Sequence, residues 1–155
     1  MAIADTRMKI EKNFAPSDSD LSELNDNFWN FVSSQFPNLP PESEDKRFLF
    51  SATDDTGFIG GISGSVYWDG VEIDVLWVHE NCRRKGIARR LLEEAEDYAR
   101  GNGAVVAFLK TVDAREFYEK QGYSVYGQLE DRPIGSVLYH MKKRLDTDQA
   151  GGCND

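Results

Sequence analysis

Two short stretches of this 155-residue chain combine residue types and spacings that could do chemistry. The first is Arg83-Arg84-Lys85-Gly86-Ile87-Ala88. It follows an apolar strand-like run, Val71-Glu72-Ile73-Asp74-Val75-Leu76-Trp77-Val78. After it, Ile87, Leu91, Leu92, Ala95, Tyr98 and Ala99 recur at helical spacing. A strand that ends in a basic, glycine-containing turn and opens a helix gathers unpaired backbone N–H groups at one point. The helix dipole adds partial positive charge there, so the turn suits a phosphate or pyrophosphate. Gly86 lets a ligand approach the backbone, and Ala88 keeps the next position small. Arg84, Lys85, Arg89 and Arg90 are placed to meet a further phosphate as point charges. On the turn alone, an ordinary strand–helix connection with solvated arginines explains the pattern equally well. Upstream, Glu72 and Asp74 alternate onto one face of the strand, and either carboxylate could act as a general base through a water. A paired or solvent-facing carboxylate is the alternative for both.

The second stretch is Ala114-Arg115-Glu116-Phe117-Tyr118-Glu119-Lys120-Gln121-Gly122-Tyr123. Ala114, Phe117, Tyr118 and Gln121 share a helical face, and Gly122 suits a left-handed cap. A phenol with pKa near ~10 at Tyr118 is a candidate general acid. No G-x-x-x-x-G-K-[ST] loop occurs, and no G-x-G-x-x-G follows a strand. The turn reads R-x-x-G-x-A instead, and the second stretch reads A-x-x-F-Y-x-x-x-G-Y. Together they resemble the acyl-coenzyme A loop and the tyrosine-bearing helix of the acetyltransferase (GNAT) superfamily. The resemblance covers roughly residues 6–145, with its specific motifs in 72–123, and a small bacterial-type member is its nearest form.

The resemblance implies an α/β fold, three layers built on a mixed central β-sheet flanked by helices. It implies acetyl-CoA as co-substrate, with Arg83, Arg84, Lys85, Gly86, Ile87, Ala88 and Arg89 holding the pyrophosphate. It implies that the strand before the loop splays from its neighbour, freeing a backbone N–H among Leu76, Trp77 and Val78 for the thioester oxygen. Trp77 itself reads equally as core or pocket. Tyr118 becomes the acid for the thiolate, with Glu72 or Asp74 as base. Thr111 stands where many members carry an asparagine that contacts the coenzyme's pantetheine or pyrophosphate arm, and it offers only a hydroxyl. The implied reaction is direct transfer of an acetyl group to a primary amine, with both substrates bound together. A peptide acceptor and a non-catalytic acyl-CoA sensor are the alternatives. Cys82 beside the loop raises an acyl-enzyme route, but no histidine adjoins it: His79 is three residues away and His140 is remote.

These residues need elements to hold them. Arg7–Phe14 alternates weakly and reads as a first strand. Pro16-Ser17-Asp18-Ser19-Asp20 carries helix-cap chemistry before Leu21, Leu24, Phe28, Phe31 and Val32. Residues 37–44 form a Pro-rich loop, which the resemblance places near the acceptor pocket as a candidate for specificity. Phe48–Ala52, Phe58–Trp68 and Val71–Val78 read as strands joined by Asp54–Gly57 and by Asp69-Gly70, a hairpin signal. Ala104–Leu109 is a continuous apolar run suited to a strand buried on both faces. Tyr123–Leu129 and Ser136–Lys142 close the sheet. Residues 1–145 read as a single domain and 146–155 as a disordered tail.

Composition bounds the function. The net charge of −9 opposes binding to a nucleic-acid backbone. It accords with a small-molecule amine acceptor that is itself cationic, or simply with solubility. No apolar stretch is long enough to cross a membrane. The first residues lack a leader's charged-then-apolar order. Two cysteines, Cys82 and Cys153, make neither a disulfide framework nor a metal site. These features fit a cytoplasmic enzyme without a metal. The closing strands could pair across a homodimer, which the sequence leaves open.

Overall fold

The structure, a computed structural model, describes residues 7–147. Main-chain contacts divide the chain into two units, Met1–Leu39 and Pro40–Asp155. The first carries helix α1 (Asp18–Gln35). Its start is a capping box: Asp20 N–H donates to Ser17 Oγ, and Ser17 N–H donates to Asp20 Oδ2 at 2.9 Å. The strand expected at 7–14 does not form. Local side-chain bonds win instead. Asn13 accepts the Ala15 N–H and donates to Asp20, so this segment runs into the helix cap rather than a ladder.

The second unit is a mixed six-stranded sheet flanked by helices. Its strands are β1 (Lys46–Asp54), β2 (Gly57–Tyr67), β3 (Gly70–Val78), β4 (Val106–Thr111), β5 (Ser124–Glu130) and β6 (Val137–Arg144). Their order across the sheet is β1-β2-β3-β4-β6-β5. Only β3 and β4 run parallel, because helix α2 (Ile87–Gly101) supplies the crossover between them. Helix α3 (Arg115–Lys120) joins β4 to β5. Leu91, Leu92, Ala95 and Ala99 of α2 belong to one core with Ile62, Val71, Ile73, Leu109 and Met141 of the sheet. Each large apolar side chain in that core contributes about 1.5–3 kcal/mol by leaving water. Among the described residues no helix is long and apolar enough to cross a membrane. Residues 148–155, most of the expected tail, lie outside the described part.

Two turns refine the sequence expectations. Asp69-Gly70 does not form the centre of the β2–β3 hairpin. Tyr67 pairs with Gly70, and Trp68 and Asp69 occupy the loop with φ of 47° and 61°, as a two-residue primed turn requires. The Trp68 indole N–H reaches the Pro40 carbonyl at 3.3 Å, and the Val105 N–H reaches the Asp69 carbonyl at 2.8 Å. The α3 cap follows expectation: Gly122 has φ 94°, and Tyr123 N–H donates to the Tyr118 carbonyl across it.

Candidate active site

The site begins where β3 and β4 part. Their parallel pairing runs from Gly70 opposite Val106 to Ile73 opposite Leu109 and then stops. β3 continues to Val78 and β4 to Thr111, so the β3 edge from Asp74 onward has no ladder partner on the β4 side. On its other side β3 stays paired with β2, but through a bulge. Ile73 faces Gly64 and Val75 faces Ser63, which leaves Asp74 as the extra residue. Gly64 makes the bulge possible, because a Cβ there would run into the Glu72 carbonyl oxygen. Gly60 plays a similar part beside the Trp77 carbonyl, 2.8 Å from where its Cβ would lie.

The bulge changes which side chains face the core. Directly paired residues share a face of the sheet. Leu76 pairs with buried Ile62, so Leu76 joins Val71, Ile73 and Val78 on the α2 side. Glu72, Val75 and Trp77 point to the opposite, open face. Trp77 is thus not core: it is 45% exposed, with its ring parallel to Phe58 at 6.3 Å and edge-on to His79 at 5.9 Å.

On this open face Glu72 accepts the Tyr67 phenol at 2.9 Å. Burial first, and then that hydrogen bond, push the Tyr67 hydroxyl up to about 12. Asp74 is raised above the ordinary carboxylate range, chiefly by burial and then by the charge of Glu72. Lys110 and Arg47 act the other way on it. The two carboxylates therefore share one electrostatic environment.

The basic turn lies beyond the end of β3. Arg83 Nε donates to the Val78 carbonyl at 2.9 Å, tying the turn to the strand. Arg84 and Gly86 both have positive φ, 65° and 80°. No side chain caps the first turn of α2, so its leading N–H groups face outward from the turn. A cavity of about 230 Å³ is lined by Val78, Cys82, Arg83, Arg84, Gly86, Ile87, Ala88, Arg89 and Phe117. It runs from the strand end past the helix start to Phe117 of α3. The Gly86 position has open space around it, so its φ and not crowding calls for glycine. Lys85 lies close enough to Asp54 of the β1–β2 hairpin to lower its pKa, after the hydrogen bonds from Thr56.

Tyr118 stands next to Phe117, buried to 6% exposure. Burial, and to a smaller degree the charge of Asp113, push its hydroxyl up to about 12. Thr111 is buried at the end of β4, and its Oγ1 accepts the Ala114 N–H at 3.1 Å. It thus sets the turn that starts α3. Cys82 is half-buried against the core, beside the cavity.

Sequence reasoning missed Phe58, which stacks on Trp77, and Tyr67, which donates to Glu72. Both come from β2, and strand pairing alone brings them there. It also passed over Glu96, although the signal was visible: a glutamate interrupts the apolar stripe of Leu92, Ala95 and Ala99.

The model of the acetyltransferase (GNAT) family matches residues 12–123. The chain belongs to that family. It is 34% identical over 89 residues to blasticidin-S acetyltransferase of Streptomyces morookaense, across 56% of this chain and 65% of that protein. The match thus spans a little under two thirds of that relative's length. An acetyltransferase of Agrobacterium fabrum is 33% identical over 94 residues, across 59% of this chain and 69% of the other. Among solved structures, an acetyltransferase from Bacillus cereus superposes with a TM-score of 0.75 at 27% identity, covering 86% of this chain and 97% of that one. The fold also matches an aminoglycoside 6'-N-acetyltransferase complexed with coenzyme A, with a TM-score of 0.60 at 19% identity, over 87% and 98% of the two chains.

Proposed function

We propose that this protein transfers the acetyl group of acetyl-CoA to a primary amine of a small, cationic molecule, with both substrates bound together. One observation carries the reading. The cavity that starts at the uncapped N-terminus of α2 and at Val78 ends at Phe117, beside buried Tyr118. Backbone N–H groups that suit a phosphate and the free strand edge adjoin that cavity, and Tyr118, the neighbour of its lining residue Phe117, is the candidate proton donor.

The turn Arg83–Arg89 holds the pyrophosphate through backbone N–H groups, with Arg84, Lys85 and Arg89 adding charge. Arg83 keeps the turn in place through Val78. A free N–H of the Leu76–Val78 edge donates to the thioester oxygen and stabilises charge developing there. The acceptor approaches from the open face, where Glu72 and Asp74 attract a cation. Asp74 is the better base, because one oxygen of Glu72 already accepts from Tyr67. It takes the ammonium proton through a water, and the neutral amine forms the C–N bond as the C–S bond breaks. Tyr118 donates to the departing sulfur. The phenol is protonated at neutral pH, its proton moves as negative charge accumulates on sulfur, and the second proton leaving the acylated nitrogen returns through water to the phenolate. Thr111 serves the coenzyme arm indirectly by fixing the start of α3.

The test measures coenzyme A release from acetyl-CoA over a panel of acceptors: blasticidin S, aminoglycosides, polyamines, amino acids and lysine peptides. Turnover with one class of small cationic amine is expected. Tyr118→Phe should lower kcat by about 10²–10⁴ while leaving acetyl-CoA binding intact. Turnover confined to lysine peptides would move the acceptor to proteins. Binding without turnover on any amine would make the chain an acyl-CoA sensor, and absence of binding would end the reading.

A further inference from the structure

Glu96 lies in the apolar stripe of α2 and is only 3% exposed. A buried carboxylate costs several kcal/mol unless charge and hydrogen bonds offset it. Glu96 has both. Its Oε2 accepts the Tyr123 phenol at 2.7 Å, and its Oε1 meets the Lys143 ammonium at 2.9 Å. The same ammonium lies 5.6 Å from the centre of the Tyr123 ring. Three segments thus meet at one carboxylate: α2, which carries it, the residue just before β5, and strand β6. Apolar side chains of similar volume commonly stabilise as well as a buried ion pair does, so stability alone does not account for this group.

Tyr123 connects the cluster to the site in two ways. Its N–H donates to the Tyr118 carbonyl at 3.0 Å, and its ring meets the Tyr118 ring edge-on at 5.7 Å. Tyr123 is itself 3% exposed, so close packing leaves neither ring room to turn independently. Glu96 sits on the same helix whose N-terminus forms the basic turn. A rigid helix therefore links the two ends.

We propose that Glu96 and Tyr123, with Lys143, are positioning residues that hold the Tyr118 phenol in register with the coenzyme-binding turn of α2. They act through Tyr118 and touch neither substrate. The inference rests on the reading of Tyr118 as the acid.

The experiment is a double-mutant cycle of Tyr123→Phe and Tyr118→Phe, reading kcat and the KM for acetyl-CoA. Tyr123→Phe removes one hydroxyl, keeps the ring and leaves Glu96 paired with Lys143. In the otherwise unaltered enzyme it should lower kcat about tenfold, equivalent to ~1.4 kcal/mol of transition-state stabilisation, with KM unchanged. In the Tyr118→Phe background it should have no further effect. Equal losses in both backgrounds, or no loss in either, would overturn the proposal. Full activity of Tyr118→Phe alone would instead remove the acid reading, and this inference with it. Fluorine NMR of protein labelled with fluorotyrosine gives a readout free of turnover. The Tyr118 signal, identified by its loss in Tyr118→Phe, should shift or broaden in Tyr123→Phe. If no acceptor is turned over, an unchanged signal would overturn the proposal. Glu96→Gln keeps an oxygen for the Tyr123 hydroxyl and should lose less activity than Tyr123→Phe; a greater loss without a drop in thermal midpoint would contradict the assigned direction of coupling.

Discussion

At the residue scale, three tyrosines are held protonated well into alkaline pH. Tyr118 and Tyr67 are both pushed up to about 12, and burial followed by the charge of Glu96 raises Tyr123 as well. An unfolded tyrosine titrates near ~10. The folded state therefore favours the protonated phenols, and their stabilisation is complete below about pH 10 and lost as pH rises through about 12. The thermal midpoint should be insensitive to these groups at neutral pH and fall steeply over that alkaline window. Tyr123→Phe should flatten the fall, because it removes the most deeply buried of the charged forms. A midpoint that falls equally in the variant and the parent would contradict the assignment. The same shift means that Tyr118 imposes no alkaline limb on the rate below about pH 12. Any rise of kcat/KM with pH then reports deprotonation of the amine or of its base.

At the scale of elements, two glycines do different work and should fail differently. Gly64 permits the β3 bulge, and a Cβ there meets the Glu72 carbonyl. Gly64→Ala should cost about 1–3 kcal/mol in urea unfolding, the range for overpacking. It should also lower turnover, because Trp77 and Val78 keep their faces only while the bulge persists. Gly86 has open space around it and a φ of 80°. Gly86→Ala should cost about 1–2 kcal/mol for the left-handed backbone. If the turn binds the pyrophosphate, it should weaken acetyl-CoA binding measured by calorimetry more than it weakens the fold. The opposite ranking, with Gly64→Ala benign and Gly86→Ala unfolding the chain, would refute this division of roles.

At the scale of the whole molecule, charge is unevenly spent. The chain carries a net charge of −9, yet Arg83, Arg84, Lys85, Arg89 and Arg90 gather around one turn. Among these, the Arg89–Glu93 pair at 3.7 Å is exposed and weak. The turn therefore acts as a local cationic patch on an acidic body. Screening shortens from roughly 10 Å at 0.1 M salt to roughly 3 Å at 1 M. Acetyl-CoA affinity should fall several-fold over that interval, and a cationic acceptor should lose affinity over it too, since it is drawn by charge of the opposite sign. Salt-independent titrations for both would show that steering by these charges is unimportant.

Local chemistry by itself determined much of this protein. Helical spacing in Ile87–Ala99, the glycine cap at Gly122, the apolar strands and the turn Arg83–Ala88 depend on neighbours within a few residues, and a linear reading detects them. The motifs at 83–88 and 114–123 likewise suffice for the family, which the match over residues 12–123 establishes. The first strand failed because side-chain bonds around Asn13 compete with a ladder whose partner the sequence does not specify. The faces of β3 were not legible for a different reason. Alternation places Leu76 and Val78 with Glu72, but a single extra residue at Asp74, allowed by Gly64 on another strand, turns them to the core. The pairing of Glu96 with Tyr123 and Lys143 spans 27 and 47 residues of chain. Side-chain contacts at such separations exist only once the sheet and α2 have packed, so the tertiary structure alone decided what packs behind Tyr118.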